Sequence, residues 1–149
     1  MRYSKILVAV EELPLAERVF KRGISLAKEF KSEIALVHVV NIPTSVGSID
    51  AGILPEEAMD FSKKAGQNLL KNLIDSHSEG MKVEEYLPIG SPVDEVASVV
   101  EDFDADLLVV GTHARSGLSK FFLGSVEEQI VSSVDCEVLV VKKEKKKKK

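Results

Sequence analysis

The chain of 149 residues predicts one α/β domain, a doubly wound fold around a five-stranded parallel sheet. Continuous apolar runs recur along it at the length of strands buried on both faces. Segments with helical apolar spacing separate these runs, which gives the order β-α-β-α-β-α-β-α-β. With right-handed crossovers we expect the strand order 3-2-1-4-5, and ligands beyond the carboxyl ends of the strands at the switch point.

The N-terminal part of the chain predicts a strand, a helix and a second strand. The strands are the apolar runs Lys5 to Val10 and Ile34 to Val40. The helix follows Pro14, because proline suits the first turn of a helix. Apolar residues at helical spacing define its core face, which consists of Ala16, Val19, Phe20, Gly23, Ala27 and Phe30.

The middle of the chain predicts a long loop, a second helix and an edge strand. The loop spans Asn41 to Leu54, and Pro55 begins the helix. The residues assigned to the core face of this helix are Ala58, Phe61, Ala65, Leu69 and Leu73. Residues 81–87 then alternate between apolar and polar side chains, as a strand at the edge of a sheet does.

The C-terminal part predicts two further helices and two further strands. Ser91 and Pro92 supply an N-cap and a first-turn proline for the third helix. Its core face is assigned to Val93, Val96, Ala97 and Val100. The fourth strand spans residues 107–110, a fourth helix begins at residues 124–125, and the last strand spans Glu137 to Val141.

The stretch between the fourth strand and the fourth helix is a candidate anion site. Gly111 ends the strand, and Gly124 and Ser125 open the helix, where free N–H groups and the helix dipole attract phosphate. Arg115 and Lys120 add positive charge to the same loop. Glycines at such positions also occur for turn geometry alone, so both interpretations stand. The pattern is neither a Walker A motif nor a Rossmann fingerprint.

The spacing of this loop resembles the nucleotide loop of the universal stress protein family. The family's ATP-binding members carry Gly-x-x-Gly, nine residues and then Gly-Ser or Gly-Thr. Here Gly111-x-x-Ala114 is followed after nine residues by Gly124-Ser125-Val126, so Ala114 is a departure. The resemblance extends from Ile6 to Val141 and implies an adenine nucleotide α-hydrolase-like fold.

The resemblance also implies a site for ATP, or for AMP or ADP, with Mg²⁺ or Mn²⁺ held by the phosphates. Glu11 stands where the family usually has a nucleoside-contacting aspartate, and Val39 matches a position whose backbone contacts adenine. Taken alone, Glu11 is equally a solvated carboxylate at a helix N-terminus and Val39 a core valine. The implied nucleotide-binding residues are Ala9, Val10, Glu11, Val39, Gly111, His113, Ala114, Arg115, Gly124, Ser125 and Val126.

Other chemistries find less support in the sequence. The histidines are scattered along the chain beside a single cysteine, so no zinc-type spacing is present and no metal ligands are assigned. A nucleophile-elbow Gly-x-Ser-x-Gly is absent, and we assign no catalytic residue. A phospho-receiver needs an aspartate at the end of the third strand, where this chain has Leu87-Pro88-Ile89-Gly90.

Composition bears on the compartment of the protein and on the partners that it can bind. No apolar run approaches the ~20 residues of a membrane span, and the single Cys136, interpreted as a core thiol, suits the cytoplasm. Seven of the last eight residues are lysine, which leaves 13 basic and 23 acidic residues elsewhere. We therefore expect a domain over residues 1–142, a disordered tail over 143–149, and no nucleic-acid groove on the acidic body.

Together these features predict an ATP-binding stress-response factor or nucleotide-responsive switch. One alternative is the same fold without nucleotide binding, acting through homodimer or partner contacts. Another is a slow nucleotide hydrolase, against which the missing general base argues. The resemblance implies a homodimer joined through Glu137–Val141, and an apolar edge strand independently requires a partner.

Overall fold

The computed structural model describes residues 3–41, 55–112 and 126–142, with only the backbone of residues 55, 126 and 127. Nine strands and helices alternate within these ranges. They are β1 (Lys5–Ala9), α1 (Leu15–Phe30), β2 (Glu33–Val37), α2 (Pro55–His77), β3 (Val83–Tyr86), α3 (Pro92–Phe103), β4 (Leu107–Gly111), α4 (Val126–Ser133) and β5 (Glu137–Val141). The predicted element order is confirmed.

The five strands form one parallel sheet in the order β3-β2-β1-β4-β5. This confirms the predicted fold class and strand order. The central strand β1 pairs with β2 on one side and with β4 on the other. Its residues Ile6, Leu7 and Val8 have no exposed surface. Burying each such side chain contributes roughly 1.5–3 kcal/mol to folding.

Helices cover both faces of the sheet, as a doubly wound fold requires. Side chains of α1 and α2 pack against Ile6 and Val8 on one face. Side chains of α3 and α4 pack against Leu7 and Leu108 on the other. Alternate residues of β1 therefore serve two separate cores, which explains why its sequence is apolar without interruption.

Several predicted boundaries shift by a few residues. Pro14 precedes α1 in the N-cap position instead of lying in its first turn. In α1, Ile24 is fully buried and Phe30 only half-buried. In α3 the buried residues are Val96, Val99, Val100 and Phe103, while Val93 and Ala97 are half-buried. β3 is the predicted edge strand but spans four residues only.

The core face predicted for α2 is wrong in its N-terminal half. Phe61 is 75% exposed, and Ala65 is exposed as well, whereas Leu70 and Leu73 are buried. A Cβ on Gly66 would lie 2.8 Å from Leu87 Cδ1, which is already past the carboxyl end of β3. The turns before Gly66 therefore project beyond the sheet, where the described residues form no core that covers an apolar face.

The closest approach of α1 to the sheet yields a stability prediction. A Cβ on Gly23 would lie 2.3 Å from Cγ2 of the fully buried Val8. Replacing glycine by alanine inside a helix normally stabilises by about 1 kcal/mol. We expect Gly23→Ala to lower the free energy of unfolding instead, by about 1–3 kcal/mol of overpacking.

Thermal denaturation followed by circular dichroism measures this effect. Ser25→Ala is the matched control, because Ser25 is exposed on the same helix and its substitution meets no packed neighbour. The control is expected to melt at or slightly above the parent temperature. A melting temperature for Gly23→Ala at or above the parent value would contradict the close approach.

Candidate functional site

A cleft of about 1090 Å³ opens at the carboxyl edge of the sheet. It lies over the ends of β1, β2 and β4, and the strand order reverses between β1 and β4. Ligand sites in doubly wound folds occupy this position because the chain departs there in opposite directions. Among the described residues that line it are Val10, Glu11, His38, Val39, Gly111 and Thr112.

The structure brings together the predicted site residues that follow different strands. Ala9, Val10 and Glu11 at the end of β1, Val39 after β2 and Gly111 at the end of β4 all line this cleft. Val126 begins α4, and only its backbone is described. The remaining predicted residues lie outside the described ranges; they are His113, Ala114, Arg115, Gly124 and Ser125.

Val39 presents its backbone to this edge of the sheet. It follows β2, and its half-buried side chain packs against the core between the sheet and α3. Within the described parts of the chain, neither its N–H nor its C=O takes part in a backbone hydrogen bond. Backbone groups at a buried edge require a partner. Val39 therefore offers one donor and one acceptor side by side to water or to a ligand.

His38 is a cleft residue that the sequence interpretation missed. The sequence predicts it inside the second strand, but β2 ends at Val37, and the ladder between β1 and β2 ends before His38. Its ring Nδ1 lies 3.0 Å from the carbonyl oxygen of Val10. A histidine at the end of a buried apolar run, next to a predicted contact residue, is the signal that could have identified it.

Thr112 is the second cleft residue without a predicted role. It follows β4, and its backbone N–H donates to the carbonyl oxygen of Val141 over 3.0 Å. This bond consumes the backbone donor, so the half-buried side chain hydroxyl is what Thr112 contributes to the cleft. A hydroxyl both donates and accepts, which suits a sugar or a phosphate oxygen.

The walls of the cleft carry charges of both signs. Glu11 and Glu12 are exposed carboxylates beside the end of β1. Side chains of α1, including the basic Arg18 and Lys21 and the acidic Glu17, line the same cleft. Arg18 Nε donates to the carbonyl oxygen of Lys142 over 2.8 Å, which connects α1 to the residue after β5. A ligand that carries both hydroxyl donors and negative charge suits such a surface.

The described residues contain neither a cluster of metal ligands nor an activated cysteine thiol. Among residues 3–41, 55–112 and 126–142 no group of three or more candidate ligands converges as a metal site would require. Cys136 packs against the core between the sheet and α3, and burial raises the pKa of its thiol. The thiol therefore stays protonated near neutral pH, as expected of a core cysteine.

None of the described helices is both long and apolar enough for a membrane crossing.

Gly111 has a packing role that is independent of any ligand. A Cβ at this position would lie 2.8 Å from Val19 Cγ2 and 2.9 Å from Leu15 Cδ2. The first turns of α1 therefore rest directly on the backbone at the end of β4. The glycine is required for this contact, whether or not its backbone also approaches a phosphate.

Sequence comparisons connect the chain to one family over nearly its whole length. The Universal stress protein family model matches residues 2–142. Universal stress protein MJ0531 of Methanocaldococcus jannaschii is 34% identical over 145 residues, which cover 97% of this chain and 85% of that protein. Universal stress protein Sll1388 of Synechocystis is 29% identical over 152 residues, with 95% and 99% covered.

Solved structures show the same architecture. The hypothetical protein MJ0577, whose biochemical function was assigned from its structure, superposes with a TM-score of 0.79 at 25% identity, covering 98% of this chain and 100% of that one. A universal stress protein in complex with cAMP superposes with a TM-score of 0.72 at 26% identity, covering 95% and 98%. UspA from Lactobacillus plantarum shares the fold at a TM-score of 0.76 and 18% identity, covering 95% and 99%.

The packing role of Gly111 is tested by a double-mutant cycle in the absence of nucleotide. We expect Gly111→Ala to lower the free energy of unfolding by about 1–3 kcal/mol, because its methyl group overlaps Leu15 and Val19. Leu15→Ala removes two of the three atoms nearest to that methyl group, Cδ2 and Cγ of Leu15, and leaves Val19 Cγ2 in place. The double variant should therefore be more stable than the sum of the two single effects predicts, by about 0.5 kcal/mol or more in urea denaturation. Strict additivity would contradict the contact.

Proposed function

The chain belongs to the universal stress protein family, and we propose that it binds an adenine nucleotide, ATP first of all, at the carboxyl edge of its sheet. The observation that carries this proposal is the convergence of Glu11, Val39 and Gly111 in one cleft. A family member of similar structure was solved in complex with cAMP, itself an adenine nucleotide. The cleft offers a complementary contact for each part of such a ligand.

The base is assigned to Val39. Adenine presents a hydrogen-bond acceptor at N1 beside the donor N6 amino group. The Val39 N–H and C=O, which have no backbone partner in the described ranges, form the complementary pair. Val10 and Val39 both line the cleft, from opposite faces of the sheet, and place apolar surface beside the base. The two hydrogen bonds would select adenine by its pattern of donor and acceptor.

The ribose and phosphates are assigned to the ends of β1 and β4. Glu11 extends one methylene further than the family's usual aspartate, and its carboxylate accepts hydrogen bonds from the sugar hydroxyls. Ile130, one turn into α4, lines the cleft, so α4 begins beside it. Phosphates bound before α4 receive N–H donors and the positive end of the helix dipole. Arg115 adds charge where Ala114 departs from the family pattern, and Mg²⁺ or Mn²⁺ would be held by the phosphates.

Such a site makes the protein a nucleotide-binding module of the cytoplasm that acts in the stress response. Binding alone lets the cellular ATP pool change the population of a liganded form, as a nucleotide-responsive switch requires. No residue among those described is assigned as a general base for hydrolysis. Nucleotide released from the purified protein after denaturation is the first measurement, and titration calorimetry with ATP is the second.

The phosphate contacts are tested by Gly124→Val. A β-branched side chain at this position blocks the approach of a phosphate to the backbone before α4, and each lost hydrogen bond costs about 1–3 kcal/mol. We expect the affinity for ATP to fall by about tenfold or more. Ser98→Val, at an exposed position of α3, is the control and should bind ATP as the parent does. Unchanged ATP affinity in Gly124→Val would refute the phosphate assignment.

A second proposal, homodimerisation through β5, rests on the position of this strand. β5 lies at the edge of the sheet and pairs with β4 alone among the described strands. Val140 is 37% exposed although its neighbours in sequence are apolar. An isologous antiparallel match of two β5 strands would satisfy the outer backbone groups and close the assembly at two chains. Such dimer contacts do not require a nucleotide, so they also fit the alternative in which the same fold acts without nucleotide binding.

The direction of the backbone hydrogen bonds in β5 identifies the residue whose substitution tests the dimer. Val141 accepts from Thr112 N–H, so its polar groups face β4, and those of Val140 face outwards because backbone groups alternate along a strand. Val140→Pro removes one outward donor and leaves the β4 pairing intact. We expect light scattering at micromolar concentration to give twice the chain mass for the parent and for Val140→Thr, and the mass of one chain for Val140→Pro. A well-folded monomeric parent would refute the dimer.

A further inference from the structure

The ladder between β1 and β2 ends with an unusual last rung. Its final backbone bond runs from Val10 N–H to the Val37 carbonyl oxygen, over 3.0 Å. In a regular parallel ladder the next bond would run from the N–H of Val39 to the C=O of Val10. That bond is absent within the described residues. The Val10 oxygen instead lies 3.0 Å from Nδ1 of His38.

The chemistry of this contact determines where the ring carries its proton. A carbonyl oxygen only accepts hydrogen bonds, so Nδ1 is the donor, and in the neutral ring Nε2 is left as the acceptor nitrogen. The backbone N–H of His38 donates to the Tyr86 carbonyl oxygen over 3.1 Å. His38 is therefore held to β3 by its backbone and to β1 by its side chain. The ring thus contacts the acceptor that the missing rung would have used.

We propose that His38 is a positioning residue that ends the β1–β2 ladder one rung early and thereby frees the Val39 N–H for the ligand. Its imidazole N–H satisfies the Val10 carbonyl, which would otherwise take the Val39 donor. One hydrogen bond replaces another of similar kind, so the exchange changes stability little. What it changes is the availability of a backbone donor at the cleft.

This role rests on the proposed nucleotide site and adds a cause for its base specificity. The freed N–H suits adenine, whose N1 accepts. Hypoxanthine carries a hydrogen on N1, which would face the Val39 N–H and leave both donors unsatisfied. Sites that read a donor or acceptor reject the mismatched analogue because a buried polar group is then left unpaired. His38 should therefore support discrimination between AMP and IMP without touching either.

Three variants of His38 separate positioning from packing. His38→Leu fills similar space without a donor, so the Val39 N–H should close onto Val10. His38→Asn keeps an amide donor near the place of Nδ1. His38→Gln carries its amide one bond further out, and retains polarity in case the leucine variant folds poorly. His77→Leu is the control, because His77 pairs with Glu17 on α1 and does not line the cleft.

Calorimetry with AMP and IMP is the first test. We expect His38→Leu and His38→Gln to lose affinity for AMP by about tenfold or more, the loss of one hydrogen bond, and to lose their preference for AMP over IMP. His38→Asn and His77→Leu should keep both. The melting temperature of His38→Leu should stay within about 4 °C of the parent. A uniform fall in melting temperature and in affinity for both nucleotides would assign His38 a packing role and overturn the proposal.

Amide hydrogen exchange at Val39, without nucleotide, is the second test and does not depend on ligand binding. The Val39 amide should exchange rapidly in the parent and in His38→Asn, and at least tenfold more slowly in His38→Leu. Equal exchange in all three would overturn the role of His38 even if AMP binds. If the parent binds no adenine nucleotide but the exchange pattern holds, the proposed function fails while the ladder-ending role stands.

Discussion

The contact of α1 with the sheet is the constraint on which the rest of the structure depends. Gly23 allows the helix to approach Val8 in the central strand, and Gly111 allows its first turns to rest on the end of β4. Both glycines sit where an added methyl group would overlap a buried side chain. Because the two contacts lie at different points along α1, they fix the tilt of the helix as well as its distance. The segment from Val10 to Pro14 is therefore held over the edge of the sheet.

The cleft is a consequence of this arrangement. From the central strand the chain passes to β2 on one side, while β4 lies on the other, so the segments leaving β1 and β4 diverge. Polar groups that a longer ladder would pair are exposed at this point. The His38 ring takes one of them, the Val10 carbonyl, while the Thr112 N–H continues the β4–β5 ladder by donating to the Val141 carbonyl. Among the described residues, the N–H and C=O of Val39 have no backbone partner.

One departure from the family pattern, Glu11, lies where it leaves this framework unchanged. Glu11 is exposed beyond the end of β1 and contributes nothing to either core. Its extra methylene therefore alters the reach of a carboxylate without altering the packing of α1. Gly111, by contrast, matches the family and is also required by Leu15 and Val19. A glycine of the nucleotide motif can thus be retained for folding, so its presence alone is weak support for binding.

The sequence by itself determined the sheet and its order, because strands buried on both faces must be apolar without interruption and only right-handed crossovers join them. It also located Glu137–Val141 residue for residue and brought Glu11, Val39 and Gly111 to one edge, since the carboxyl ends of parallel strands coincide. The exposure of Phe61 and the contact of the His38 ring with the Val10 carbonyl were decided by tertiary structure alone. Helical periodicity shows that α2 has an apolar face, but not where the sheet beneath it ends. The partner of His38 lies 28 residues away in sequence, and only the pairing of β1 with β2 brings that carbonyl within reach of the ring.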